Sequence, residues 1–382
     1  MSTLSSKASF PKAAEVAYLD SAAEGLPLPE GEEALRLYFS LKAQGSPGRR
    51  ALQREESAAF AALAALLGAR EEDVALLSSA SEALNVFANS LEWREGDEVV
   101  ISDLEFPSGV LPWLRLAARG VRLRVVPSVN GVLTLDDFAR VIGPATRLVC
   151  VSHVSYKNGA RLPFLAELGR LAHSHGALFA VDATQSLGRL PVSLDEIDFL
   201  VASSYKWLLC VHGLGVAWLS PAVRDRLRPG SIGWYSLRSP FTPDRFVRYE
   251  PKAGAQWMMC GMPIYPSICV MRRCAEFLLR ADVTAIEARL RPLVARLRDG
   301  FAGLGLDLLT PPGPEYASGI VAFSHPDCER IGAALESEGV VVWSGDGRVR
   351  ASVHLYNDDA DIDRVLRVLG SLVEETRCTT RS

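Results

Sequence analysis

Ala177-Leu178-Phe179-Ala180-Val181-Asp182-Ala183-Thr184-Gln185 and Phe199-Leu200-Val201-Ala202-Ser203-Ser204-Tyr205-Lys206 share a pattern: a short apolar run closed by polar, reactive side chains. Runs of this length, apolar without alternation, read as strands covered on both faces. Working outward, Glu98 to Ile101, Val121 to Val126, Arg147 to Val151 and Gly215 to Leu219 read as strands too. Longer amphipathic stretches lie between several of them, such as Leu165 to His175, with apolar residues at three and four spacing. Strand, helix, strand alternation predicts an α/β fold with a mostly parallel sheet covered by helices. Ligands in such sheets sit at the carboxyl ends of the strands, where Ser152, Asp182 and Ser203 to Lys206 fall.

The pattern changes after a middle rich in Gly, Pro and aromatics, Pro229 to Pro266. A helical stretch from about Ser267 to Leu304, broken near Asp282, leads to a strand at Gly319 to Phe323 and a helix from Cys328 to Glu338. Strands at Val340 to Trp343 and Val349 to His354 follow, then a last helix from Asp361 to Thr376 capped by Asn357-Asp358-Asp359. This predicts a smaller C-terminal α+β domain: residues 16–281 form the large domain, and 1–15 with 282–382 the small one.

At 382 residues and a formal net charge of -4, the chain has the size of an enzyme and no broad basic field, so nucleic acid is not an expected partner. Met1 to Phe10 is polar, unlike a secretory leader, and no run is long and apolar enough for a bilayer. A cytoplasmic protein is expected. The seven cysteines, at 150, 210, 260, 269, 274, 328 and 378, lack paired zinc or redox spacing and read as reduced thiols, with no metal site expected.

Lysine is scarce: Lys7, Lys12, Lys42, Lys157, Lys206 and Lys252 are the only ones among 41 lysines and arginines. A lone lysine is usually a solvated surface charge. Here arginine could serve that purpose, but it cannot form a Schiff base. Lys206 on one strand end and Asp182 on the previous one suit pyridoxal 5'-phosphate (PLP), which needs an amine for its aldehyde and an acid for its ring nitrogen. Leu76 to Asn85 reads as a strand turning into a helix with Ser81 as N-cap. Small residues there let backbone N–H groups approach a phosphate, although most such starts are only caps.

Together with Tyr18-Leu19-Asp20-Ser21-Ala22-Ala23, these motifs resemble the class V branch of the fold type I PLP-dependent transferase-like enzymes. That group holds cysteine desulfurases, selenocysteine lyase, isopenicillin N epimerase, kynureninase and cysteine-conjugate C-S lyases, and the resemblance covers nearly the whole chain. It implies that Ala80 and Ser81 hold the phosphate, Asp182 pairs with the pyridinium, Gln185 bonds the ring hydroxyl and Lys206 carries the cofactor. Ser203 adds a phosphate bond, Tyr205 stands where relatives have a phosphate-binding histidine, and Phe106, in Glu105-Phe106-Pro107-Ser108, stacks on the ring. Read without the motif, Phe106 is ordinary core packing. Arg350, in Val349 to Asn357, matches the arginine that clamps a substrate α-carboxylate through its planar fork, which implies an amino-acid-like substrate. The resemblance also implies a homodimer with shared sites, Arg248 to Gln256 coming from the partner.

Departures bear on the reaction. Tyr156, expected beside the cofactor, stands where many relatives carry asparagine; an aromatic there also occurs in aminotransferase-like members. Cys210 and Val211 replace a usual Gly-Pro pair, Ala255 replaces a threonine offered to the neighbouring subunit's phosphate, and His212 reads as a solvated loop histidine or a supporting base. Desulfurases carry a nucleophilic cysteine on a loop between the last two strands, but Val342 to Arg348 crosses that gap directly and has none. β-Elimination from a cysteine S-conjugate asks least of these residues. A class V aminotransferase or amino-acid epimerase is the alternative, and a cysteine desulfurase is disfavoured. A nicotinamide-dependent reductase would suit the sheet, yet His212 to Trp218 has two of the three fingerprint glycines. A catalytically dead module would not need Asp182, Lys206 and Arg350 together.

Overall fold

The computed structural model describes residues 7–379 and the side chains of 7–374, so Met1 to Ser6 and the thiol of Cys378 lie outside the described residues. In chain order the strands are β1 (Ala17–Tyr18), β2 (Val74–Leu77), β3 (Glu98–Ser102), β4 (Arg122–Val126), β5 (Thr146–Ser152), β6 (Leu178–Asp182), β7 (Phe199–Ser203), β8 (Gly215–Leu219), β9 (Asp307–Leu308), β10 (Ile320–Ser324), β11 (Val340–Val341), β12 (Trp343–Gly345) and β13 (Arg348–Ser352). Seven make the main sheet, in the order β2-β8-β7-β6-β5-β3-β4. Only β8 runs against its neighbours, pairing antiparallel with β2 and β7, while the β3–β4, β3–β5, β5–β6 and β6–β7 pairs are parallel. Every residue of β2, β3, β6 and β8 is buried, which is why their sequences do not alternate. β4 is the exposed edge; Arg122 and Arg124 on it reach Glu98 Oε1 at 3.0 and 2.9 Å, and such charges keep an open edge from pairing with another chain.

The helix Ala80–Ser90 leaves β2 at its carboxyl end. Its N-cap is Ser79, not Ser81 as expected: Ser79 is extended (φ -168°) and its hydroxyl accepts from Glu82 N at 3.1 Å. Ser81 therefore lies inside the first turn, and its hydroxyl is free to meet Ser108 Oγ at 2.6 Å.

A second sheet, antiparallel and ordered β12-β13-β10-β9, forms the smaller domain. The long helical stretch is two helices, Tyr265–Ala281 and Val283–Gly303, separated at Asp282, whose φ of 58° no helix accommodates and whose carboxylate accepts from Thr284 N at 2.9 Å. The strand expected at Val340 to Trp343 divides at Val342, because β11 pairs parallel with β1 while β12 pairs with β13. The last helix, Asp359–Thr379, starts earlier than expected. Asp358 caps it, accepting from Asp361 N and donating its own N–H to Asp361 Oδ2, both at 3.2 Å. Lys7 pairs with Asp358 at 3.2 Å and the Phe10 ring packs, tilted, 5.0 Å from that of Tyr356, so the first described residues pack on the small domain. No described helix is long and apolar enough to cross a membrane.

Candidate active site

The carboxyl ends of β2, β3, β5, β6 and β7 share one edge of the main sheet and line a cleft of about 90 Å³. Ser79, Ala80 and Ser81 line it from the helix start; Phe106 and Ser108 from the loop after β3; Ser152, Val154 and Tyr156 from β5 and beyond. Asp182, Thr184 and Gln185 come from β6, and Ser203, Tyr205 and Lys206 from β7. Residues expected to act together, from five separate stretches, thus meet around one space.

Lys206 is buried, with Nζ 5.6 Å from the centre of the Phe106 ring and 5.7 Å from that of Tyr205. Burial pushes its amine down to about 8, helped by the charge of Arg350 and opposed by Asp182, Asp20 and Glu24. The backbone around it is clamped. Gly25 N donates to Tyr205 O at 2.9 Å, and a Cβ on Gly25 would lie 2.0 Å from the Lys206 carbonyl oxygen, so only glycine fits there. Asp182, at the end of β6, accepts from Thr184 N at 2.8 Å; burial raises its carboxyl despite that bond and the Lys206 charge.

Gln185 lines the cleft, but its amide is engaged: Nε2 donates to Ala22 O at 2.9 Å and Oε1 accepts from Trp207 Nε1 at 2.7 Å. One amide N–H remains for a ligand. Tyr205 stacks on His212, 4.6 Å between ring centres; His212 is exposed and reaches Glu24 Oε2 at 3.1 Å. Tyr156 meets Phe106 edge-on at 5.0 Å. Arg350 stands behind the cleft lining, its Nη1 donating to Tyr156 O at 2.7 Å and its guanidinium 5.1 Å from the Trp343 ring. Its Nε is buried without a hydrogen-bond partner, and burial lowers it to about 10.

The sequence reading placed Ser152 at the ligand edge of the sheet but did not single out Ser79, Ser108, Thr184 or Glu105. Glu105 is the most telling: it accepts from Ser102 Oγ and Ser152 Oγ, both at 2.6 Å, tying the loop that carries Phe106 to the ends of β3 and β5. Burial pushes its carboxyl up to about 7 against those two bonds, and the neighbouring Asp182 charge adds to the rise. A carboxylate beside Phe106, directly after an apolar strand, was the available signal.

These residues fit PLP. The start of the Ala80–Ser90 helix offers backbone donors and hydroxyls to a phosphate, and Gly215 lets it sit against β8, since a Cβ there would lie 2.6 Å from Ala80 N. A buried carboxyl and a buried amine face the same space, matching the ring nitrogen and the aldehyde. Fold and site together define a fold type I PLP-dependent enzyme.

The chain belongs to the Aminotransferase class-V family, whose profile it matches over residues 17–365. It is 29% identical to a probable cysteine desulfurase of Pyrococcus abyssi, covering 96% of this chain and 97% of that one. It is 31% identical to the isopenicillin N epimerase of Streptomyces clavuligerus, over 82% and 83% of the two chains. The apo cysteine desulfurase of Thermococcus onnurineus superposes with a TM-score of 0.89 at 27% identity, over 98% of this chain and all of the other.

Proposed function

We propose that the protein catalyses β-elimination from an amino acid of the cysteine S-conjugate type, a C-S lyase reaction. The observation that carries this reading is the hairpin where relatives named desulfurases would place a reactive loop. β12 and β13 are joined by a tight turn at Asp346-Gly347 and pair from Trp343–Arg350 to Gly345–Arg348, with no cysteine in it. Among the described cysteines none lines the cleft, and Cys210 is buried with its thiol on Ser267 O. Without a thiol to accept sulfur, the sulfur must leave with the rest of the side chain.

In this proposal Arg350 receives the substrate carboxylate, and Phe106, which lines the cleft with its ring centre 5.6 Å from Lys206 Nζ, would stack on the cofactor ring. Ala80, Ser81, Ser203 and Tyr205 hold the phosphate, Tyr156 and Gln185 flank the ring, and Asp182 keeps the ring nitrogen protonated. Bound there, PLP supplies an electron sink for charge developing at the substrate Cα. The Lys206 amine takes the Cα proton; the Cβ–S bond then breaks with its electron pair leaving on sulfur. Hydrolysis of the released enamine gives pyruvate and ammonia.

Relatives include an epimerase, and an epimerase or aminotransferase needs a proton delivered elsewhere: to the opposite face of Cα, or to the cofactor. Tyr156 and His212 are the side chains near enough to consider, and His212 is turned to solvent. Incubation with a cysteine S-conjugate is expected to release pyruvate, ammonia and a thiol without any 2-oxo acid. A requirement for a 2-oxo acid would make it an aminotransferase; inverted configuration without pyruvate would make it an epimerase. We place it in the cytoplasm as a homodimer of chains divided at residues 16–281 and 1–15 with 282–382.

A further inference from the structure

We propose that Asp20 takes the proton from the α-ammonium of an incoming amino acid as the substrate carboxylate settles on Arg350. This rests on the reading of Arg350 given above. Asp20 follows β1 and bridges to Ser352, two residues beyond Arg350 and so on the same face of β13. Ser352 Oγ donates to Leu19 O and accepts from Ala22 N, both at 3.0 Å, which fixes the turn. The far end of the turn, Gly25, is packed against the Lys206 backbone.

Asp20 therefore sits in a cluster with two cations, and its Oδ1 makes no hydrogen bond to them among the described residues. Arg350 from β13, Lys206 from the loop after β7 and Glu24 from its own turn act on its charge, and that charge acts in turn on Tyr18 and Tyr356. Both tyrosine hydroxyls are engaged elsewhere, Tyr18 donating to Glu24 O at 2.7 Å and Tyr356 meeting Ser21 Oγ. Asp20 Oδ1 is buried and has no hydrogen-bond partner. The other carboxyls around the cleft are occupied: Asp182 by Thr184, Glu105 by two serines, Glu24 by His212. Burial outweighs both cations and pushes Asp20 up to about 7.

An amino acid arrives as a zwitterion, and its ammonium cannot act as a nucleophile until a proton leaves. An ionised Asp20 also competes with the substrate carboxylate for Arg350. One transfer resolves both: the N–H bond breaks, its electron pair stays on nitrogen, and the proton forms an O–H bond on Asp20. The amine is then reactive, and the neutral acid no longer repels the carboxylate beside it.

The test uses the full-length, PLP-loaded protein and 2-aminoisobutyrate, an amino acid without a Cα proton. Binding is followed by the cofactor absorbance, and proton exchange by calorimetry in buffers of different ionisation enthalpy. At about pH 8 the wild type should exchange about zero protons with buffer, whereas D20N and D20A should release about one per molecule bound. Affinity for both variants should rise about tenfold per pH unit. The wild type alone gives a second readout: toward about pH 6, where Asp20 is already protonated, it should release about one proton. Variants that release none, the proton having gone to the Lys206 nitrogen, would overturn the proposal, as would a wild type whose count does not change with pH. A wild type whose cofactor band responds to no amino acid would instead overturn the amino-acid reading itself, and Asp20's role with it.

Discussion

An ordinary lysine amine stays protonated up to about 10.5 and cannot attack a carbonyl, but Lys206 is pushed down to about 8 by burial and by Arg350. The apo protein should therefore capture PLP at a rate that rises with pH and is half-maximal near about 8, followed by growth of the cofactor band after mixing. A midpoint near the ordinary lysine value would mean that the amine is solvated. The stability consequence has a definite sign. Because the unfolded chain holds this proton more tightly, the residue's contribution to apo stability is complete above 10.5 and is lost as pH falls to about 8. Lys206→Ala should abolish turnover. Asp182→Asn should still bind PLP, giving a band near ~410 to 430 nm in the loaded protein, but lose turnover by several orders of magnitude. Near-normal turnover of that variant would show that another acid, Glu105 being the nearest choice, pairs with the ring nitrogen. Arg350→Ala should weaken substrate binding by roughly 2 to 5 kcal/mol, read as a raised KM.

Between elements, the buried pair of Arg189 and Glu287 fastens the turn after β6 to the helix Val283–Gly303, and Arg189 Nε also donates to Val353 O at 3.2 Å. Arg189 is wholly buried, so removing its partner leaves an uncompensated charge. Glu287→Ala should destabilise the fold by about 3 to 5 kcal/mol in urea unfolding. Replacing both residues by apolar ones should recover most of that loss. None of this was visible in the sequence, where Arg189 and Glu287 are ordinary charges far apart. What could be read was local: β3, β6 and β8 are apolar runs whose burial on both faces shows in each run by itself. The division of Val340 to Trp343 was not, because four apolar residues in a row carry no sign that two different strands claim them. Likewise Ser79 and Ser81 are equally good caps by type, and the backbone at Ser79 decides between them. The site followed the same rule. Residues at strand ends, Asp182, Ser203 and Lys206, were legible, whereas Asp20 and Glu105 act through neighbours that only the folded chain brings near.

On the scale of the whole molecule, the segment between Leu237 and Pro251 presents Phe241, Phe246, Val247 and Tyr249 to solvent at 80%, 83%, 85% and 62% exposure. Trp234 adjoins it, 6.4 Å from the Phe241 ring. Contiguous apolar surface of this kind usually marks an interaction site, and closed two-fold pairs are the commonest assembly. Within one chain the segment cannot turn inward at its far end, because Ala255 is buried with its N–H on Glu72 O at 2.8 Å and Gly254 leaves no room for a side chain. Ala255 therefore offers nothing to a neighbouring site, whereas Arg248 is exposed, with its guanidinium held by Asp244. We expect a dimer in sedimentation at micromolar concentration. Phe246→Asp, which places a charge on the exposed face, should shift the protein toward monomer without lowering the stability of the single chain, since the ring is 83% exposed and lies outside the core. Loss of activity in that monomer would mean that each cleft needs its partner. A wild type that sediments as a monomer with full activity would leave this aromatic face for another protein and make the cleft complete in one chain.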